Sequence, residues 1–414
     1  MLAADRGVRF LVSLLNGALI ARALGTYEFG LLAQVLLAVA VMDVLVSMGI
    51  PSVLGPRVAM SDIEHQGPLL LHALGLRASA TLCCGFIAAA VYLSNVSGLS
   101  EANSVFVVCV MLTLIVMNWA LCDGFLQGVG RPEDSALLKS LVAVGFLLIR
   151  YVHVEAGIPD ALSLAFLNCA EQAAISLVLL SRCRSLARPY GGTKDTRGRM
   201  ELLRLGLIMW GSQLFTLAYM RIDQAVILVL SDKVDLAKYV VAVQLAEQTF
   251  TLPIILCAVY VEKVANLRRQ SDSYGFRREI IRLYRLGFVL TAVMAATAAL
   301  LSNILVPSIY GSKYAESASL FAILVFSVPF VMLGGINSLV LLTGNKAYVQ
   351  LRRTFICSLV CVPMAVCGWY LAGLFGLAFA AVAVQGLGNL VLNKWLDREG
   401  YEMQLEALWL KTTR

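Results

Sequence analysis

Residues 29–50 read FGLLAQVLLAVAVMDVLVSMGI, twenty-two positions with one ionisable group, Asp43. As a helix rising 1.5 Å per residue the run is about 33 Å long, enough to cross a hydrocarbon core of about 30 Å. A surface helix of a soluble protein would show a polar face, and this one has none. Working outward, comparable runs recur at 8–24, 69–94, 104–127, 136–156, 160–182, 203–230, 234–262, 281–307, 315–342, 347–371 and 374–393, which makes twelve spans.

The whole chain agrees with that stretch: 414 residues, 59% hydrophobic, only 14% charged, with a mean hydropathy of +0.81. Twelve spans of about 22 residues leave about a dozen positions for each tail or loop, too few for a folded soluble catalytic domain. The expected fold class is therefore an all-α integral membrane protein with about twelve transmembrane helices. The ten Cys lie mostly inside apolar runs, where thiols behave as small hydrophobes rather than as a disulfide framework. Cys357 and Cys361 share a helix face, but no His lies near them in sequence, so the reading contains no metal. Nucleotide cradles, metalloprotease helices and nucleophile elbows are absent too, so the reading contains no cofactor and no enzyme.

Sidedness follows from Lys and Arg in short loops, because positive residues resist translocation. With a cytoplasmic N-terminus, 26 of the 33 fall inside, outside are only Lys233, Lys238 and Lys313, and four lie within spans. Both termini are thus expected in the cytoplasm. Seven of the inside cations sit between Arg182 and Arg204, around Pro189-Tyr190-Gly191-Gly192. Such a basic loop fixes topology and can also hold anionic lipid headgroups. It divides the chain into an N-terminal six-helix lobe, 1–182, a basic cytoplasmic linker, 183–202, a C-terminal six-helix lobe, 203–396, and a cytoplasmic tail, 397–414. The tail's Tyr401 to Leu410 stretch reads as a short interfacial or frayed helix.

The two lobes look like copies. Gly128 ends span four and Gly344 ends span ten; Gly157 lies between spans five and six and Gly373 between eleven and twelve; both offsets are 216. Six spans per copy is an even number, so the copies share one orientation and are related by an axis along the membrane normal, an arrangement suited to rocking of two lobes.

An ion at the bilayer centre costs about 2.5–3.5 kcal/mol on insertion scales, so intramembrane charges face a bundle interior or a wet cavity. The basic candidates are Arg22, Arg77, Arg150 and Arg221, with Lys139 at the cytoplasmic rim. The acids include Asp43, Asp123, Glu171, Asp223 and Glu247. Asp43, Glu171, Asp223 and Glu247 are the candidates for ion coupling, because a carboxylate in low dielectric shifts towards exchanging protons near neutrality. Lys139 and Arg150 are eleven residues apart, which places them on one face of span five, about 16 Å apart along the axis. That spacing suits a path for an anionic headgroup; the competing reading is a set of fixed pairs between helices. Arg221 and Asp223 flank the stripe of Gln213, Thr216 and Gln224 on span seven. Pro253, Pro329 and Pro363 mark kinks in spans eight, ten and eleven.

Ile20-Ala21-Arg22-Ala23-Leu24-Gly25 with Tyr27-Glu28-Phe29-Gly30 resembles the opening of polysaccharide-biosynthesis flippases, the O-antigen transporter type of the multidrug/oligosaccharidyl-lipid/polysaccharide exporter superfamily. Met220-Arg221-Ile222-Asp223-Gln224, Tyr239 with Gln244-Leu245-Ala246-Glu247, Ile309-Tyr310-Gly311-Ser312-Lys313-Tyr314 and Gly373-Leu374-Phe375-Gly376-Leu377-Ala378 extend the resemblance along the chain. It implies two six-helix lobes around a central cavity. It also implies transfer of an undecaprenyl-pyrophosphate-linked oligosaccharide, an O-antigen or other lipopolysaccharide-type unit, from the inner to the outer leaflet of a bacterial cytoplasmic membrane. The partners it implies are that lipid-linked oligosaccharide, membrane lipids, and a polymerase and chain-length regulator of the same pathway, with no nucleic acid. A drug/cation antiporter would keep the fold and favour an acidic, aromatic cavity. A lipid II flippase usually carries two further spans, and a glycan polymerase a sizeable outer loop.

Overall fold

The computed structural model describes residues 2–61, 63–94, 110–157, 159–186, 196–270, 272–343 and 346–408. Pro189–Gly192, Gly344, and residues 95–109 and 409–414 lie outside the described residues. Among those described the structure is helical throughout, with no strand. In lipid every backbone N–H and C=O must be satisfied within its own segment, which leaves the helix as the form these apolar runs adopt.

The helices are α1 (Leu2–Ala23), α2 (Thr26–Ser47), α3 (Ile50–Met60), α4 (Ile63–Ser94), α5 (residues 110–116), α6 (Trp119–Gly128), α7 (Pro132–Glu155) and α8 (Ala161–Leu186). They continue as α9 (Thr196–Leu230), α10 (Lys233–Thr249), α11 (Thr251–Arg269), α12 (Ser273–Leu300), α13 (Ser302–Tyr310), α14 (Ser317–Leu324) and α15 (Ser327–Thr343). The last are α16 (Ala347–Gly386), α17 (Asn393–Leu396) and α18 (Arg398–Leu408). Among the described residues ten stretches are long and apolar enough to cross a membrane, and Phe10–Ala23 is a shorter apolar helix. The stretch Tyr348–Leu396 is twice a span's length and bends at Ala372 and Gly373, whose dihedrals are not helical. Split there, and with α1 added, the stretches make the twelve spans read from the sequence.

Breaks fall where backbone chemistry puts them. Span eight is interrupted between α10 and α11, with Pro253 in the first turn of α11. Span ten is interrupted between α14 and α15, with Pro329 in the first turn of α15. Pro363 lies inside α16. Gly157 and Gly373, one repeat offset apart, both take positive φ, 78° and 56°, the left-handed region that favours glycine.

The chain divides into two compact units: residues 1–24 with 31–217, and residues 25–30 with 218–414. The division falls within α9. In the first unit α3 packs on α6, α1 on α7, and α6 and α7 on α8, around Leu54, Val58, Phe125, Leu126, Leu179 and Cys183. The first half of α9 belongs here: Trp210 Nε1 donates to the Val44 carbonyl at 2.8 Å. In the second unit α12 packs on α15, α10 on α14 and α11 on α15, around Ile280, Leu283, Met332, Leu333 and Ile336.

The short C-terminal helix expected over Tyr401 to Leu410 is α18 as far as Leu408, and it docks on α12 and α15 rather than fraying. Met403, Gln404 and Ala407 are buried, and Arg277 Nη2 holds Glu406 at 2.7 Å. Amphipathic spacing and two acids, Glu402 and Glu406, made it read as an interfacial helix; Gln404 on its inner face is buried because it meets polar partners.

Candidate functional site

Four ion pairs join neighbouring helices among the intramembrane charges. In the first unit, Arg77 of α4, 1% exposed, donates from Nη2 to Asp43 Oδ1 of α2 at 2.6 Å. Arg150 of α7, 2% exposed, donates from Nη2 to Glu171 Oε2 of α8 at 2.6 Å and from Nη1 to Asn16 Oδ1 of α1 at 3.1 Å. That guanidinium ties three helices. Lys139 lies 3.0 Å from Asp123 Oδ1, stands over the Trp119 ring, and shares the carboxylate with the Ser135 hydroxyl. Arg22, in the last turn of α1, is exposed.

In the second unit Arg221 makes a fork to Glu247, with Nη1 to Oε1 at 2.9 Å and Nη2 to Oε2 at 3.2 Å. Asp223 accepts from the Tyr239 hydroxyl at 2.8 Å and from the backbone N–H of Gln224 at 2.8 Å. Arg221 and Asp223 leave opposite sides of the Gln224 stripe, yet both reach α10, because Tyr239 and Glu247 lie eight residues apart along it. Of the four acidic candidates, three have a cation within 4 Å; Asp223 has none among the described residues. Gln213 joins the first unit instead, through Ser47 at 3.0 Å and Ser52 at 2.9 Å.

Burial decides what each pair contributes. Charges removed from water are stable when paired and hydrogen-bonded, and removing one partner strands the other. Arg77–Asp43 and Arg150–Glu171 are thus pillars of the first unit in this conformation. Arg22 is exposed where Arg77 and Arg150 are buried.

The family model for polysaccharide biosynthesis proteins matches residues 2–264. The chain belongs to that family. The matched stretch holds all nine candidate residues. Among solved structures, the lipid II flippase MurJ, in an inward closed conformation, is similar at TM-score 0.75 and 15% identity, covering 100% of this chain and 93% of that one. An inward-facing multidrug resistance MATE family transporter of the MOP superfamily is similar at TM-score 0.71 and 15% identity, covering 95% of each chain. A MOP superfamily transporter from Pyrococcus furiosus, described by a binding pocket of reverse polarity, is similar at TM-score 0.63 and 15% identity, covering 99% and 94%. No curated protein matches the sequence. At this identity the likeness establishes the fold, a multi-pass membrane protein built like MOP superfamily transporters.

Two groups escaped the sequence reading. One is a polar cluster of the second unit: Asn337 accepts from Tyr284 and from Gln404 Nε2, and Gln404 and Asn393 donate to the Asn389 carbonyl at 3.1 and 2.9 Å. That carbonyl lies in a π-helical turn, Leu387–Val391. The available signal was five amides, Asn337, Gln385, Asn389, Asn393 and Gln404, at or near apolar spans. The other is Arg353, which the positive-inside count took as a loop cation and which is 4% exposed.

Proposed function

We propose that this member of the polysaccharide biosynthesis family flips an undecaprenyl-pyrophosphate-linked oligosaccharide, an O-antigen or related unit, from the inner to the outer leaflet of a bacterial cytoplasmic membrane by alternating access. The observation that carries the reading is the family match over residues 2–264. The physical need is clear: glycan hydroxyls and a diphosphate lose hydration in hydrocarbon without compensation. A flippase supplies polar surface and cations, and makes or breaks no covalent bond. A polymerase and chain-length regulator would receive the unit outside.

Arg22 is assigned the diphosphate contact, because a guanidinium engages phosphate oxygens through two hydrogen bonds and this one is exposed. Arg77, Lys139 and Arg150 of the first unit and Arg221 of the second are further candidate cations, each of which would reach an anion only if its acid partner let go. Asp223 is assigned the coupling proton: alone among the four acids it faces a hydroxyl rather than a cation, so neutralising it breaks no ion pair.

The test is purified protein in liposomes holding a fluorescent undecaprenyl-pyrophosphate disaccharide, with an impermeant quencher outside. The expected result is faster exposure than in protein-free vesicles, lost in Arg22→Ala, and losing its dependence on a proton gradient in Asp223→Asn. Transport of organic cations with no movement of the glycolipid would replace this function with drug export.

A further inference from the structure

The α12 helix reads SYGFRREIIRLYRLGFVLTAVMAATAAL from Ser273 to Leu300. Four Arg and one Glu fall in its first thirteen positions, and none of the remaining fifteen carries a charge. Its inner face, with Phe276, Ile280, Leu283, Tyr284 and Gly287, is buried. Arg278, Arg282 and Arg285 fall on the opposite side, within about 60° of arc and over about 10 Å of the helix axis. All three are exposed. Val289 and Val293 carry the same stripe onward and Leu286 and Leu290 flank it, again exposed; Tyr274, one turn before Arg278, is exposed as well.

The other cations of α11 and α12 whose side chains are described are engaged. Lys263 holds Glu279 at 2.8 Å, Arg277 holds Glu406 of α18 at 2.7 Å, and the Arg268 guanidinium stacks on the Phe276 ring. Arg285 donates from Nε to the Ala407 carbonyl at 3.3 Å, which positions its guanidinium beside α18 without neutralising it. Among the described residues no acid lies within 4 Å of Arg278, Arg282 or Arg285. Like charges three and four positions apart on a helix repel, so an anion laid over this stripe relieves a repulsion that the chain's own acids leave in place.

We infer that the outer face of α12 is a docking surface for an anionic phospholipid of the phosphatidylglycerol class. Its phosphate sits among Arg278, Arg282 and Arg285, and its acyl chains run along Leu286, Val289, Leu290 and Val293. Guanidinium groups fork onto phosphate oxygens, and a basic segment beside a span attracts anionic headgroups. The seam on this face selects a lipid over a soluble polyanion: charge stops at Arg285 and exposed apolar surface starts at Leu286, as one amphiphile requires. Tyr274 adds an amphipathic ring on the headgroup side, where spanning helices favour Tyr and Trp. The surface belongs to the second unit alone, uses none of the nine transport candidates, and does not depend on the flippase reading.

The experiment titrates the purified full chain in detergent with dioleoyl phosphatidylglycerol or dioleoyl phosphatidylcholine and follows bound lipid by native mass spectrometry. Phosphatidylglycerol is expected to bind the tighter. An Arg near a membrane surface is worth about a fivefold gain in affinity for anionic lipid, so Arg282→Gln should weaken phosphatidylglycerol by that factor and leave phosphatidylcholine unchanged. Arg352→Gln and Lys394→Gln, which remove exposed cations elsewhere in the same unit, should keep the preference. Glycerol phosphate, a headgroup without chains, should not displace the lipid, and neither should polyglutamate. In phosphatidylcholine vesicles holding a photoactivatable phosphatidylglycerol, crosslinks on the wild-type chain should fall within residues 273–293, a readout that needs no variant to fold. Equal binding of the two lipids, full affinity in Arg282→Gln, an equal loss in the control variants, or crosslinks confined to other helices would each overturn the inference. Displacement by glycerol phosphate would make the stripe a phosphate site and displacement by polyglutamate an acidic-protein surface, and either result would overturn it too.

Discussion

At the scale of single residues, the Arg150–Glu171–Asn16 cluster separates structural from transport roles. Arg150 and Glu171 are 2% and 13% exposed, so Arg150→Ala strands an acid between helices. Breaking a buried pair in this way costs about 3–5 kcal/mol. Membrane abundance measured by immunoblot, and the unfolding midpoint of whatever accumulates, should both fall, and adding Glu171→Gln should recover part of the loss. Arg22→Ala, on an exposed side chain, should leave abundance unchanged while export is lost. Normal abundance of Arg150→Ala with export abolished would instead make that guanidinium a substrate contact. The candidates themselves were legible in the sequence, since a charge inside an apolar run stands out. Their partners were not: helical spacing reports the face of one helix, whereas these pairs join residues 34, 21 and 26 positions apart on different helices.

At the scale of elements, close helix contact rests on small residues. A Cβ on Gly128 of α6 would lie 2.5 Å from the Gly55 carbonyl oxygen and 2.7 Å from Val58 Cβ of α3, and one on Gly124 would lie 3.1 Å from the Pro51 carbonyl oxygen. Gly124 and Gly128 are one GxxxG pair, the pattern by which membrane helices bring backbones together. Gly128→Ala therefore pushes α3 from α6 and should destabilise the first unit by about 1–3 kcal/mol, the usual cost of overpacking. Gly75→Ala, with nothing within 4 Å of the added carbon, should be neutral or slightly stabilising because alanine favours helix. Unfolding midpoints of the two variants check the contrast, and equal effects would remove the contact from the account. This pair was visible in the sequence as spacing, but spacing does not say which helix it meets. The same limit hid the docking of α18, where polar Gln404 is fully buried only because Asn337 and the Asn389 carbonyl await it.

At the scale of the whole molecule, hydropathy counts spans well because lipid forbids unsatisfied backbone, and twelve spans survive the kinks and breaks that divide the helices differently. The charge bias that orients them survives correction as well. Of the 26 cations read as inside, Arg353 is buried and Lys139 half-buried, 4% and 11% exposed; without them the excess over Lys233, Lys238 and Lys313 is still eightfold. Two of those three are engaged, Lys238 with Glu316 at 2.5 Å and Lys233 over the Tyr27 ring, so the face read as outer from the sequence would offer still less free positive charge to oppose insertion. Lys313, exposed in the turn Ser312–Tyr314, and Lys394, exposed at the end of the last span, are thus expected on opposite sides. In a cysteine-free background, an impermeant maleimide added to intact cells should label Lys313→Cys and leave Lys394→Cys untouched until the cells are lysed. Labelling of Lys394→Cys in intact cells, with Lys313→Cys protected, would invert the orientation and with it the direction in which a glycolipid is carried.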